Sequence, residues 1–195
     1  MKIFFDTEFT GLHKDTTLIS IGMIAEDGRT FYAEFSDYDA SQVNDWIKEN
    51  VIANLKFNEY AYYVRTWEPE KFDHIEMKGT KHQIAQTLKN WLAKYQNSEI
   101  YPGGVQLVSD VCHYDMVLFI DLFGGAFDLP GYVNASCHDI NQDIATYYGV
   151  TESEAFEMSR EEILKKLRRE LPTGDKHNSL YDAMVIEKLY DFVGE

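Results

Sequence analysis

Cysteine is scarce in this chain: 195 residues carry only Cys112 and Cys137. They form no CxxC pair, which excludes a zinc knuckle and a thioredoxin-like redox site. They read as two reduced, core-type thiols, and the expected compartment is the cytoplasm. Positive charge is also short, with 18 Lys and Arg against 33 Asp and Glu and a formal net charge of −15. Binding to nucleic acid or anionic membrane through a global positive field is thereby excluded, so a phosphate-rich partner would need a local device. No apolar run approaches the ~20 residues of a membrane span. The opening Met1-Lys2-Ile3-Phe4-Phe5-Asp6 meets its acid too early for the apolar region of a secretory signal. Internal repeats and linker-like composition shifts are lacking too, so residues 1–195 are read as a single domain. With 45% hydrophobic residues it has the means for a core without staples, and disorder is excluded.

What is present alternates strands with helices. Residues 2–5 form a short apolar run closed by Asp6, a buried strand with an acid at its carboxyl end. Residues 17–25 and 29–35 are β-branched and aromatic, and the Asp27-Gly28 link between them predicts a type I′ hairpin. The first three strands therefore form a meander. A helix is expected over 41–54, with Ser41 as N-cap and Val43, Ile47 and Val51 on one stripe. Ile84, Leu88, Trp91, Leu92 and Tyr95 predict another over 80–95. The intervening aromatics (Phe57, Tyr60, Tyr62, Tyr63, Trp67, Phe72) show no clean period. Further on come strands at 105–109 and 133–137, and helices at 113–123, 139–148, 152–170 and 178–193.

Carboxylates occupy positions where such elements should be apolar. Asp6 and Glu8 share one face if the first strand continues past Phe5. Asp182 lies on the stripe of Ile186, Leu189 and Val193, and Asp115 on that of Leu118, Phe119 and Leu122. An unpaired buried carboxylate costs several kcal/mol or takes up a proton. No basic residues stand ready as one-to-one partners, which leaves cations from solution. Oxygen donors of this kind favour Mg²⁺ or Mn²⁺ over zinc. Four carboxylates balance two such ions, and two ions ~3.5 to 4 Å apart serve in-line displacement at a phosphodiester. The same ions let phosphate approach an acidic pocket. His177, five residues before Asp182, is placed to take a proton from attacking water at neutral pH. His13, His74, His82 and His138 have no comparable partner, while His113 lies close to Asp115 and is a candidate for touching substrate.

Asp6-Thr7-Glu8-Phe9-Thr10-Gly11-Leu12 after an apolar strand, then Tyr114-Asp115, then His177-Asn178-Ser179-Leu180-Tyr181-Asp182-Ala183 resembles the DEDDh 3′-5′ exonucleases (DnaQ-like) of the ribonuclease H-like superfamily. The pattern spans nearly the whole chain, and is most like the exoribonuclease branch typified by mycobacterial ribonuclease AS. The resemblance implies an α/β fold with a mixed five-stranded sheet flanked by helices, and often a homodimer. It implies 3′-to-5′ exonuclease action on single-stranded nucleic acid, RNA favoured over DNA. Asp6, Glu8, Asp115 and Asp182 would be ligands of two Mg²⁺ ions, with Mn²⁺ as a substitute, and His177 the general base. One departure is that Val108 to His113 lack the small-residue, Asn-containing lead-in of many relatives, which makes Asp110 a rival of Asp115.

Substrate contacts are assigned to Phe9, Thr7 and His113. Phe9 either stacks on a terminal base, a contact of ~1 to 3 kcal/mol, or extends the core. Arg160, Lys165, Lys166, Arg168, Arg169 and Lys176 either track a nucleic-acid backbone or form a solvated face balanced by Glu161, Glu162 and Glu170. Haloacid-dehalogenase-like phosphatases also begin with an apolar strand and an acid pair. Against them stand Glu8, the hairpin after the first strand and the charged helix before Gly174-Asp175. A fold kept only for binding nucleic acid is the non-enzymatic alternative, and the complete set of five site residues argues against it.

Overall fold

β1 (Lys2–Phe9) buries Ile3, Phe4 and Phe5 completely or nearly so, since neighbours cover both of its faces. This is a computed structural model, and it describes residues 1–57, 63–67, 74–96 and 103–194, with 63–67 described by backbone alone. β2 (Leu18–Ala25) and β3 (Thr30–Phe35) complete the expected antiparallel meander. Their turn is not type I′. Gly28 has φ +85° while Asp27 stays at negative φ, and Gly28 N donates to Ala25 O at 2.8 Å. That is the longer hairpin loop in which a glycine in the left-handed region follows an ordinary turn.

β4 (Tyr63–Trp67), β5 (His74–Gly79), β6 (Val105–Ser109) and β7 (Val133–Asp139) complete one sheet of order β4-β5-β3-β2-β1-β6-β7. The sheet is mixed, as expected, but has seven strands. Five of them, β3-β2-β1-β6-β7, are those read from the sequence. The extra antiparallel pair β4–β5 comes from the aromatic stretch and docks on the free edge of β3, where β5 runs parallel to it. Tyr60, Tyr62 and Phe72 lie outside the described residues.

Two helical layers cover the sheet. α2 (Lys81–Leu92), with a Thr80–Gln83 capping box, and α3 (Cys112–Leu122) pack on one face over Phe5, Phe31 and Met77. α4 (Ile140–Tyr148), α5 (Glu152–Glu157), α6 (Arg160–Lys166) and α7 (Ser179–Val193) pack on the other, over Phe4, Ile24 and Val108. The helix expected over 152–170 breaks at Met158, because Ser159 caps a new start by accepting from Glu162 N. The helix expected over 41–54 is shorter as well. α1 (Asp45–Asn50) lies between two 3₁₀ turns, Ala40–Gln42 and Ile52–Asn54, and its N-cap is Asn44, not Ser41. The Ser41 hydroxyl instead donates to Asp39. Ile47 and Val51 still share a buried stripe, against Ile19.

Cys112 and Cys137 are joined in a disulfide, contrary to the expectation of two thiols, with Cα atoms 6.0 Å apart. The cause is topological. β6 and β7 are parallel neighbours with Leu107 opposite Cys137, and α3 begins just after β6, so Cys112 folds back onto the adjacent strand. The pairing removes cysteine usage as an argument for a reducing compartment. Among the described residues no helix is long and apolar enough to cross a membrane.

Candidate active site

Phe4 faces the α7 layer, so Asp6 and Glu8, at steps of two along β1, project to that same side at the strand's carboxyl end. Asp182 stands in the first turn of α7. A glycine brings the two together. Gly22 lies opposite Asp6 on β2, and a Cβ there would sit 2.1 Å from Leu180 N. The bare backbone lets the start of α7 rest directly on the sheet, where Ser20 Oγ and Ser179 Oγ also meet at 3.0 Å.

Asp115 arrives from the other helical layer, in the first turn of α3, and only 2% of it is exposed. Its Oδ1 accepts from Thr7 N (3.2 Å) and Thr7 Oγ1 (2.5 Å), and its Oδ2 from Ser109 Oγ (2.5 Å). Oxygens of Asp6, Asp110 and Asp115 all lie within 4.8 Å of one another, as do ligand atoms of Glu8, His177 and Asp182. Both groups open into a cavity of about 730 Å³. Asp110, the rival of Asp115 in the sequence, joins it rather than replacing it, and is answered by Arg160 Nε at 3.2 Å.

His177 sits on the loop before α7 with φ +62°. Its backbone N donates to Asp182 Oδ2 at 2.8 Å, its Nδ1 lies 3.9 Å from Glu8 Oε1, and Trp46 meets its ring edge-on at 5.2 Å. Burial, helped by Lys176, holds the imidazole below its ordinary value. The carboxyls move the other way. Burial first and neighbouring acids second push Glu8 up to about 8 and Asp182 to about 7. Burial lifts Asp115 to about 7 against the pull of Ser109 and Thr7, and raises Asp6 well above its ordinary value. Among the described residues, no Lys or Arg forms an ion pair with Asp6, Glu8, Asp115 or Asp182. An all-oxygen donor set under such mutual repulsion is suited to hard divalent cations.

The model of the 3′-5′ exoribonuclease Rv2179c-like domain matches residues 1–193. This chain belongs to that family. The 3′-5′ exoribonuclease Rv2179c of Mycobacterium tuberculosis (strain ATCC 25618 / H37Rv) is 40% identical over 55 residues. That match covers 28% of this chain and spans only a third (33%) of the relative. Among solved structures, the nuclease domain of 3′hExo, a DEDDh family member bound to rAMP, is similar in fold. Its TM-score is 0.63 at 16% identity, over 96% of this chain and 88% of that one. A 3′-exonuclease described in 3′-end specific recognition of histone mRNA stem-loop has a TM-score of 0.57 at 15% identity, over 96% and 78%.

All five residues of the DEDDh pattern line the one cavity of this Rv2179c-like domain. The expected substrate residues are placed differently from one another. Phe9 lines the cavity and stacks on Tyr114, with centroids 5.3 Å apart and planes at 16°. Thr7 lines it too, but both its hydrogen-bond donors are committed to Asp115. His113 is exposed beside Tyr114 and is not among the lining residues. The basic cluster disperses: Arg160 turns inward to Asp110 and Asn141, Arg169 covers the Phe192 ring, and Lys176 reaches the cavity. Sequence reasoning missed Gly22, Ser109, Trp46 and the exposed Leu12 at the rim. Only Gly22 carried a signal, as a glycine inside an otherwise apolar strand.

Proposed function

We propose that this chain is a 3′-to-5′ exoribonuclease that removes terminal nucleotides from single-stranded RNA. The observation carrying this reading is the convergence of Asp6, Glu8, Asp115 and Asp182 with His177 in one cavity, where no Lys or Arg among the described residues forms an ion pair with any of the four acids. Asp6, Glu8, Asp115 and Asp182 would hold two Mg²⁺ ions, or Mn²⁺ in their place. When bound, the ions supply charge stabilisation at the attacking and leaving oxygens of an in-line displacement.

The protein's own groups do the rest. Burial lowers the proton affinity of His177 and so favours the neutral imidazole, the form that can take the proton of an attacking water. Glu8, 3.9 Å from Nδ1, steadies the imidazolium that forms. Thr7 and Ser109 fix both oxygens of Asp115, so that carboxylate is held in place before substrate arrives. Phe9 backed by Tyr114, Leu12 (76% exposed) and Trp46 (54% exposed) form an apolar rim. Base stacking on such a rim contributes ~1 to 3 kcal/mol per base and tolerates sequence variation. RNA is favoured over DNA because the family is one of exoribonucleases and the structural neighbours are described with rAMP and an mRNA stem-loop.

The test is digestion of matched 5′-labelled RNA and DNA single strands, with and without Mg²⁺. Progressive shortening of RNA from its 3′ end, abolished by chelator and by Asp6→Ala, is the expected result. Faster loss of DNA would make the chain an exodeoxyribonuclease. Binding without cleavage, or hydrolysis of p-nitrophenyl phosphate alone, would overturn the nuclease reading.

A further inference from the structure

His177 adopts a left-handed backbone conformation, φ +62°, that residues other than glycine enter rarely and that persists only when the surroundings hold it. One residue far away in sequence grips the chain on both sides of it. The Asn54 side-chain amide donates to Lys176 O at 2.8 Å, and the Asn54 carbonyl accepts from Asn178 Nδ2 at 3.0 Å. The same amide donates to Asn50 O at 2.7 Å, at the end of α1, the helix that carries Trp46 to the His177 ring. Behind this bracket the segment is pinned to β3. Glu34 Oε1 accepts from Lys56 N (2.6 Å), Phe57 N (3.1 Å) and Tyr32 OH (2.8 Å), and Tyr32 OH accepts in turn from Asn178 Nδ2 (3.3 Å). Asn54 does not line the cavity, so any effect it has on turnover passes through the histidine loop or through α1, which carries Trp46.

We propose that Asn54 is a positioning residue that holds His177 in its working conformation, an inference resting on the reading of His177 as general base. The bracket fixes the backbone carbonyl of residue 176 and the side chain of residue 178, and thereby aims the imidazole between them toward Glu8 and the cavity.

Two substitutions test it. Asn54→Ala removes the amide, and Asn54→Asp keeps its size but turns a carboxylate toward the carbonyl oxygens of Asn50 and Lys176. Both should lower kcat, by about 10- to 100-fold as for a small misplacement of a reacting group, with KM changed less than about twofold. Asn54→Asp should be at least as damaging as Asn54→Ala. Calorimetric Mn²⁺ affinity should stay within about threefold, and far-ultraviolet circular dichroism should report a folded chain for at least one variant. In a His177→Ala background, Asn54→Ala should cost nothing further. Amide hydrogen exchange at His177, whose N–H is bonded to Asp182, should quicken in both single variants. Full kcat in Asn54→Asp, losses that multiply in the double variant, or unchanged exchange at His177 would overturn the proposal. If His177→Ala itself were fully active, the base assignment would fail. The exchange measurement would then still decide whether Asn54 holds the loop.

Discussion

Glu34 and the cavity carboxylates are both buried acids, yet the protein treats them in opposite ways. Glu34 is fully buried, and it is answered from within: one oxygen takes three hydrogen bonds, and Lys78 Nζ lies 3.8 Å from the other. Asp6, Glu8, Asp115 and Asp182 face a cavity and one another, and hydrogen bonds from Thr7, Ser109 and the His177 backbone do not cancel their charge. A buried carboxylate is therefore no sign of function by itself. What marks a site is charge left unanswered beside open volume.

Four experiments sharpen that contrast. The largest effect belongs to Asp6→Asn, which should reduce exonuclease turnover by at least ~10³-fold, on the scale of losing a group that acts only in the transition state. In chelator the same variant should melt higher than the parent, because it removes one of several repelling buried acids. A lower melting temperature in chelator would show that Asp6 is already balanced. Gly22→Ala comes next. Its methyl would collide with the Leu180 backbone at 2.1 Å, so a loss of about 3 kcal/mol in denaturant unfolding and a displaced Asp182 are expected. Unchanged stability would mean that α7 does not rest on β2.

A pH series separates the metal-free from the metal-loaded protein. Glu8, with an ordinary value of 4.5, is raised to about 8, and Asp115 and Asp182, ordinarily 3.8, to about 7. Across that window the folded metal-free chain binds more protons than the unfolded one. Its stability is thus full below about pH 4 and is lost as pH rises toward about 8, by at most about 1.4 kcal/mol per pH unit for each group. With Mg²⁺ the trend should reverse, since the cation competes with those protons. Melting curves in chelator and in Mg²⁺ from pH 4 to 8 check both signs. Glu34→Gln should have the smallest effect, about 1 kcal/mol of stability, with the metal response intact. Loss of that response would place Glu34 with the cavity acids.

The positions of five strands and the acid pattern were legible because both follow local rules. Apolar runs set β1, β2, β3, β6 and β7, and acids on apolar stripes marked Asp115 and Asp182. The β4–β5 pair was less so, although His74-Ile75-Glu76-Met77-Lys78 alternates polar with apolar, as a half-buried strand should. Trp46 and Asn54 had no local signal at all, and Asp110 was read only as a rival of Asp115 and not as its companion in the site. Each acts on a residue brought near by other parts of the chain, and no periodicity records that.

The amino-acid order alone determined which side chains were out of place: carboxylates where burial forbids lone charge, and a histidine five positions before one of them. Those are penalties of transferring single groups from water, and they can be read one residue at a time. Only tertiary structure decided who answers them. It sent Arg160 to Asp110, paired Cys112 with Cys137, let α7 settle on Gly22 and bracketed His177 with Asn54. Each of these depends on distance between segments remote in the chain, which is fixed by packing of the whole sheet and its two helical layers.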